Sequence, residues 1–116
     1  MTPVKVVDAS AIAAVLFGEP ERDVVLAAIA GADLAGPRLL PIELGNVCLI
    51  KCRREPVRRA EFVDGLTLYE NLQVHEQEIA PLGCLELAFK HSLSFYDASY
   101  LWLARELGAE LVTLDK

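Results

Sequence analysis

Val4-Lys5-Val6-Val7-Asp8-Ala9-Ser10 is a β-branched run that ends in one carboxylate and two small residues. Helix-forming sequence, Ala11 to Phe17, follows at once, with Ser10 suited to cap it. The stretch reads as a buried first strand, Val4–Asp8, running straight into a helix. In an open parallel sheet, ligands bind beyond the carboxyl ends of the strands. Asp8 stands at that edge. Three further acids, Glu43, Asp97 and Asp115, each fall where an element starts or ends near the same edge.

Outward from this strand, the chain alternates helix and strand signals. Gly18-Glu19-Pro20 breaks the first helix, and a second is expected from Glu21 to Ala30, with Val24, Val25, Ala28 and Ile29 on one stripe. Leu34-Ala35 is a short strand ended by Gly36-Pro37. Pro41 suits the first turn of a helix reaching Arg54, with Glu43 where the helix dipole favours an acid and Asn46 one turn further on the same face. Pro56 stops it. A helix over Val57–Asn71 and a strand over Leu72–His75 follow. His75 reads as a strand-edge residue and not as a ligand. The helix Pro81–His91 spaces Leu82, Leu85, Ala88 and Phe89 for a core. The last helix, Asp97–Leu107, carries the stripe Tyr100, Leu103, Ala104 and Leu107, and Ala109–Leu114 forms a final strand ending at Asp115. This alternation predicts a single α/β domain, three-layered, with a central parallel sheet and helices on both faces.

The chain has 116 residues, of which 53% are hydrophobic and 24% charged, enough for one core with apolar surface left over for a partner. The N-terminus has no basic region followed by an apolar run, and no stretch reaches 18 apolar residues, so neither a signal peptide nor a membrane span is expected. Cys48, Cys52 and Cys84 make an odd count, which points to reduced, structural thiols in a cytoplasmic protein. Cys48 and Cys52 stand four apart on a helix, but no nearby His or third Cys completes a soft-metal site. The net charge of −6 argues against broad, charge-driven binding to nucleic acid. It allows an enzyme that holds nucleic acid locally through a divalent ion and the one dense basic cluster, Lys51, Arg53, Arg54, Arg58 and Arg59.

Four carboxylates in reach of one another resist joint ionisation unless a cation compensates. Hard oxygen donors select Mg²⁺ or Mn²⁺. An ion held this way activates water and offsets charge growing on a phosphate, which is metal-assisted phosphodiester hydrolysis. No Ser–His–Asp constellation and no phosphate-cradling glycine loop competes with it. Each acid has a plainer explanation: Asp8 as a helix-start residue, Glu43 as a dipole partner, Asp97 as an N-cap, Asp115 as a solvated end. What favours the site is that all four fall at one edge. A receiver domain would need paired acids after the first strand and a mid-chain acceptor Asp. An Asp-x-Asp phosphatase fails because position 10 is Ser. A non-catalytic module that binds RNA or a partner would need none of the four acids.

Val6-Val7-Asp8-Ala9-Ser10-Ala11, Pro41-Ile42-Glu43-Leu44-Gly45-Asn46-Val47, Leu93-Ser94-Phe95-Tyr96-Asp97-Ala98-Ser99-Tyr100 and Leu111-Val112-Thr113-Leu114-Asp115-Lys116 resemble, in order and spacing, the motifs of PIN-domain ribonucleases. The nearest resemblance is to the VapC toxins of toxin–antitoxin pairs, and it covers nearly the whole chain, 1–116. It implies that Asp8, Glu43, Asp97 and Asp115 are the acidic metal-site quartet. Ser10 and Thr113 would be small polar supports, and Asn46 follows its acid as it often does in the family. It also implies Mg²⁺- or Mn²⁺-dependent cleavage of RNA, a homodimer, and a cognate antitoxin that inhibits by docking an arginine onto the carboxylates. For the dimer, Glu21–Ala30 and Val57–Asn71 are the candidate surfaces. Relatives usually continue past the Asp-Lys with a further helix, so the family's C-terminal tail is expected to be missing after Lys116.

Overall fold

The computed structural model describes residues 2–115. Four parallel strands, β1 (Val4–Val7), β2 (Asp33–Pro37), β3 (His75–Gln77) and β4 (Glu110–Val112), form one sheet in the order β3-β2-β1-β4. β1 is therefore central, with Val6 opposite Ala35 on one side and Leu111 on the other. The chain moves to one side of β1 for β2 and β3 and to the other for β4. The carboxyl end of β1 is thus the topological switch point, where such sheets open a crevice. Val6 and Val7 are fully buried, as a central parallel strand requires.

Six α-helices flank the sheet: α1 (Ala9–Leu16), α2 (Arg22–Ile29), α3 (Leu40–Arg54), α4 (Arg59–Thr67), α5 (Pro81–His91) and α6 (Phe95–Leu107). α6 lies on β1 and β2, while α1 packs against α2 and α3. Every residue from Ala11 to Phe17 is buried, so α1 is a core helix on all sides. Gly65 of α4 passes so close to α1 that a β-carbon there would clash with the Leu16 carbonyl oxygen. Phe62 of α4 meets Phe17 edge-to-face, with ring centroids 6.2 Å apart.

Several elements depart from the sequence expectation. Asp8, not Ser10, caps α1, because its Oδ1 accepts from the Ala11 backbone N–H at 3.0 Å. The span expected as one helix over Val57–Asn71 is a 3-10 turn at Pro56–Arg58, then α4, then a second 3-10 segment at Leu68–Leu72. Gln73, in the left-handed conformation at φ 53°, ends that segment, so the strand begins only at His75, not at Leu72. α6 starts at Phe95, two residues early, because Ser94 takes the N-cap and accepts from the Asp97 backbone N–H at 3.0 Å. Asp97 is not the N-cap and stands instead in the first turn of α6, where the helix dipole favours a carboxylate.

α5 is the largest change. The spacing of Leu82, Leu85 and Phe89 predicts a core face, yet Leu82 is 76% and Phe89 79% exposed. The small face of the helix turns inward instead: Cys84 is buried, and a β-carbon on Gly83 would meet the Trp102 indole nitrogen of α6 at 2.6 Å. Close approach between α5 and α6 uses the small residues, and the large ones are left outside. Cys48 and Cys84 are buried, Cys52 is half-buried, and all three thiols are unpaired.

Candidate active site

At the carboxyl ends of β1 and β4, Asp8, Leu93, Asp97, Tyr100, Leu101, Leu111, Thr113 and Asp115 line a cleft of about 220 Å³. The sheet register makes it. The Asp8 backbone N–H donates to the Val112 carbonyl at 3.3 Å, so the residues following β1 and β4 leave the sheet side by side. Ser10 ties the two exits together. Its hydroxyl donates to Asp8 Oδ1 at 2.7 Å and accepts from the Leu114 backbone N–H at 3.0 Å. Thr113 Oγ1 lies 3.5 Å from Ser10 Oγ and accepts from the Asp115 N–H at 3.0 Å. Asp8 is buried, and the N-cap bond together with the Ser10 bond fixes one of its oxygens.

α6 brings Asp97 in its first turn and Tyr100 one turn later, on the same face. α3 brings Glu43, half-buried in its own first turn. The two helices meet where the Tyr100 hydroxyl donates to Glu43 Oε1 at 2.7 Å. Burial pushes the Glu43 carboxyl above its ordinary value. The Tyr100 bond pulls it back, and the charges of Asp8, Asp97 and Asp115 push it up again. Asp115 is likewise raised, by burial first and then by Asp8 and Asp97. Asp8 and Asp97 thus act on both Glu43 and Asp115, which places the four acids within electrostatic reach of one another. Among the described residues no Lys, Arg or His pairs with any of the four.

Asn46 does not join them. It is exposed, with no hydrogen bond among the described residues, one turn along α3 from Glu43. Lys116, the last residue of the final motif, lies outside the described residues. Of the basic cluster, Lys51 pairs with Glu19 at 2.9 Å and stands over the Phe17 and Phe62 rings. Arg58 pairs with Glu55 and Glu61 and stacks on Phe62. Arg53, Arg54 and Arg59 remain exposed, without a carboxylate partner among the described residues. Tyr100 is the site residue that sequence pattern assigns only to an apolar stripe. A buried tyrosine three residues after a site acid has a hydroxyl that must find a partner, and that is the signal the sequence offers.

The donor chemistry fits a hard divalent cation: three carboxylates, Asp8, Asp97 and Asp115, line the cleft with neither thiol nor imidazole among the lining residues, and Glu43 stands near enough to feel their charge. As they stand, no three His, Cys, Asp or Glu side chains among the described residues are close enough to share one ion.

The profile of the PIN domain family matches residues 5–116. Ribonuclease VapC3 of Pyrobaculum aerophilum is 34% identical over 116 residues, an alignment covering 96% of this chain and 88% of that relative. The crystal structure of PAE2754 from the same organism superposes with a TM-score of 0.75 at 29% identity, over 100% of this chain and 84% of that one. Mycobacterium tuberculosis VapC20, described as a toxin that cleaves the sarcin–ricin loop, shares the fold at a TM-score of 0.69 and 18% identity, over 96% and 89% of the two chains. With its four-stranded parallel sheet, its acidic cleft at the switch point and this family match over nearly its whole length, the chain belongs to the PIN domain family.

Proposed function

We propose that the chain is a Mg²⁺- or Mn²⁺-dependent endoribonuclease, the toxin component of a toxin–antitoxin pair. The observation that supports this reading is the convergence of Asp8, Asp97 and Asp115 on one cleft at the carboxyl edge of the sheet, with Glu43 nearby and no cationic partner for any of the four among the described residues. A scaffold that only bound RNA would gain nothing from the repulsion among them.

Asp8 and Asp97 would hold the ion most directly, and Glu43 and Asp115 would complete the shell, partly through water. When bound, such an ion supplies positive charge that offsets charge growing on a scissile phosphate and lowers the pKa of coordinated water. Ser10 keeps Asp8 in one orientation and ties it to the strand end that leads to Asp115. Arg53 and Arg54 lie ten and eleven residues along α3 from Glu43, about 15 Å away at 1.5 Å per residue. That distance suits phosphates flanking the one being cut. Their position in the last turn also complements the helix dipole, which is a structural use of the same charges.

The partners follow from the same reading. The substrate is RNA, an antitoxin protein covers the acidic cleft, and the chain acts as a homodimer in the cytoplasm. No helix of the described residues is long and apolar enough to cross a membrane. The test is incubation of the purified chain with labelled RNA and Mg²⁺ or Mn²⁺, with and without chelator. Cleavage that requires the ion supports the reading. Intact RNA in every lane, with RNA still bound, would favour the non-catalytic module.

A further inference from the structure

We propose that Tyr96 is a substrate-binding residue, its exposed ring a stacking platform for an unpaired base of RNA at the rim of the acidic cleft. The inference rests on the ribonuclease reading above and deepens it by naming the substrate class: RNA with an accessible base face, as in a single strand or a loop, and not an intact duplex.

Tyr96 is the one exposed tyrosine among the described residues, at 60%, and its hydroxyl has no hydrogen-bond partner there. The backbone beneath the ring is held from both sides. Ser94 caps α6 at the Asp97 N–H, and its carbonyl accepts from the Ala98 N–H at 2.9 Å. The fully buried Ser99 donates its hydroxyl to the Tyr96 carbonyl at 2.6 Å. A tyrosine has only two side-chain torsions, so on a fixed turn it gives contact area at low entropic cost. Asp97, the next residue, lines the cleft, as does Leu93 just before the helix. Successive residues of a helix point about 100° apart, which sets the Tyr96 ring beside the cleft and not among its lining residues. Phe95, 39% exposed, points about 200° away from Asp97 and does not share that position.

Charge makes a platform of this kind useful. The chain carries a net charge of −6, and three carboxylates line the cleft, so the phosphates of RNA gain little from the protein's field. Stacking needs no charge, because every base has a π face. In a duplex those faces are covered by neighbouring pairs, whereas single strands, loops and bulges can splay a base out. The plainer explanation of an exposed tyrosine is a contact between two copies of the chain.

Fluorescence anisotropy with a labelled single-stranded RNA of roughly twelve nucleotides separates the two. It is run in EDTA, so that binding draws on no divalent ion and no cleavage occurs. We expect Tyr96→Ala to weaken binding by about tenfold and Tyr96→Phe to stay within about twofold of wild type, since the ring is kept. On a duplex of the same sequence, Tyr96→Ala should change affinity less than about twofold. The dependence of affinity on salt should keep its slope, because no phosphate contact is lost.

Equal affinity of Tyr96→Ala and wild type for the single strand overturns the inference and leaves the ribonuclease reading standing. An equal loss on single strand and duplex also overturns it, as does a loss accompanied by a fall in mass by sedimentation, which assigns the ring to a contact between copies. A wild-type chain that binds no single-stranded RNA in EDTA overturns it too, while ion-dependent cleavage still decides the reading. Binding that depends on Tyr96 without cleavage in Mn²⁺ keeps the platform and removes the nuclease. Should Tyr96→Ala fail to fold, wild type is cross-linked to RNA carrying 4-thiouridine and the adducts are mapped by mass spectrometry. An adduct on Tyr96 supports the platform, and adducts only elsewhere overturn it.

Discussion

Glu43 shows how one side chain answers to its surroundings. Folding places it partly out of water and, to a smaller effect, beside three like charges, so it holds its proton more tightly folded than unfolded. Asp115 does the same. Both groups therefore contribute stability that is complete below their ordinary values of 4.5 and 3.8. That contribution is lost as pH rises through the raised folded values. Chelator-treated wild type should accordingly lose melting temperature relative to Glu43→Gln as pH rises above the ordinary value of 4.5, and saturating Mg²⁺ should recover much of it. Parallel melting curves for the two proteins as pH rises would mean that folding does not raise the proton affinity of Glu43. The four acids are readable in the sequence, because each ends or begins an element. Their supports are less so. Ser10 looks like a helix cap, and only the register of β1 against β4 turns it into a brace between Asp8 and Leu114. Asn46 looks like a neighbour of Glu43 by helical spacing, yet it faces solvent.

Among the elements, the helices that position the site are held by close backbone approaches that a pattern of apolar residues does not encode. Gly65 lets α4 touch α1, and its replacement by Ala would drive a β-carbon against the Leu16 carbonyl, where the neighbour is main chain and cannot swing away. Gly65→Ala should destabilise by about 2 kcal/mol or more. Gly45, in mid α3, has open space where a β-carbon would stand, with nothing within 4 Å, and should respond oppositely. Gly45→Ala is expected to stabilise by up to about 1 kcal/mol through helix propensity. Urea denaturation of the two variants checks both signs. The same logic explains why α5 departs from its pattern. Its Leu and Phe spacing promises a core face, but Gly83 and Cys84 are what pack against Trp102 and α6. Periodicity identifies the faces of a helix and does not say which of two mixed faces turns inward.

Across the whole molecule, the alternation of elements, the central β1 and its parallel neighbour β4 are legible in the sequence, because buried parallel strands are short β-branched runs bounded by turns. The outer surface is not. Besides α2, with Val24 68% exposed, and the α4 region, with Val57 99% exposed, α5 carries a solvent-facing stripe of Leu82, Leu85 and Phe89. Contiguous apolar stripes of this kind mark association surfaces. In the homodimer we propose, light scattering at tens of micromolar, roughly, should report twice the chain mass. A wild-type monomer at that concentration would count against the dimer.

From side chain to sheet, the proposed activity depends on the carboxylates at the carboxyl end of β1 gathering a divalent ion onto RNA. Asp8→Asn is the sharpest probe of that dependence. It keeps the size of the side chain and an oxygen that can still cap α1, while removing one charge from the cluster. The quantity to measure is the single-turnover rate of RNA cleavage in Mn²⁺ by wild type and Asp8→Asn, with matched melting curves. We predict a loss of about 100-fold or more, equivalent to ~3 kcal/mol of transition-state stabilisation, with the fold intact. Cleavage by Asp8→Asn at the wild-type rate would show that the acidic cluster does not drive the reaction.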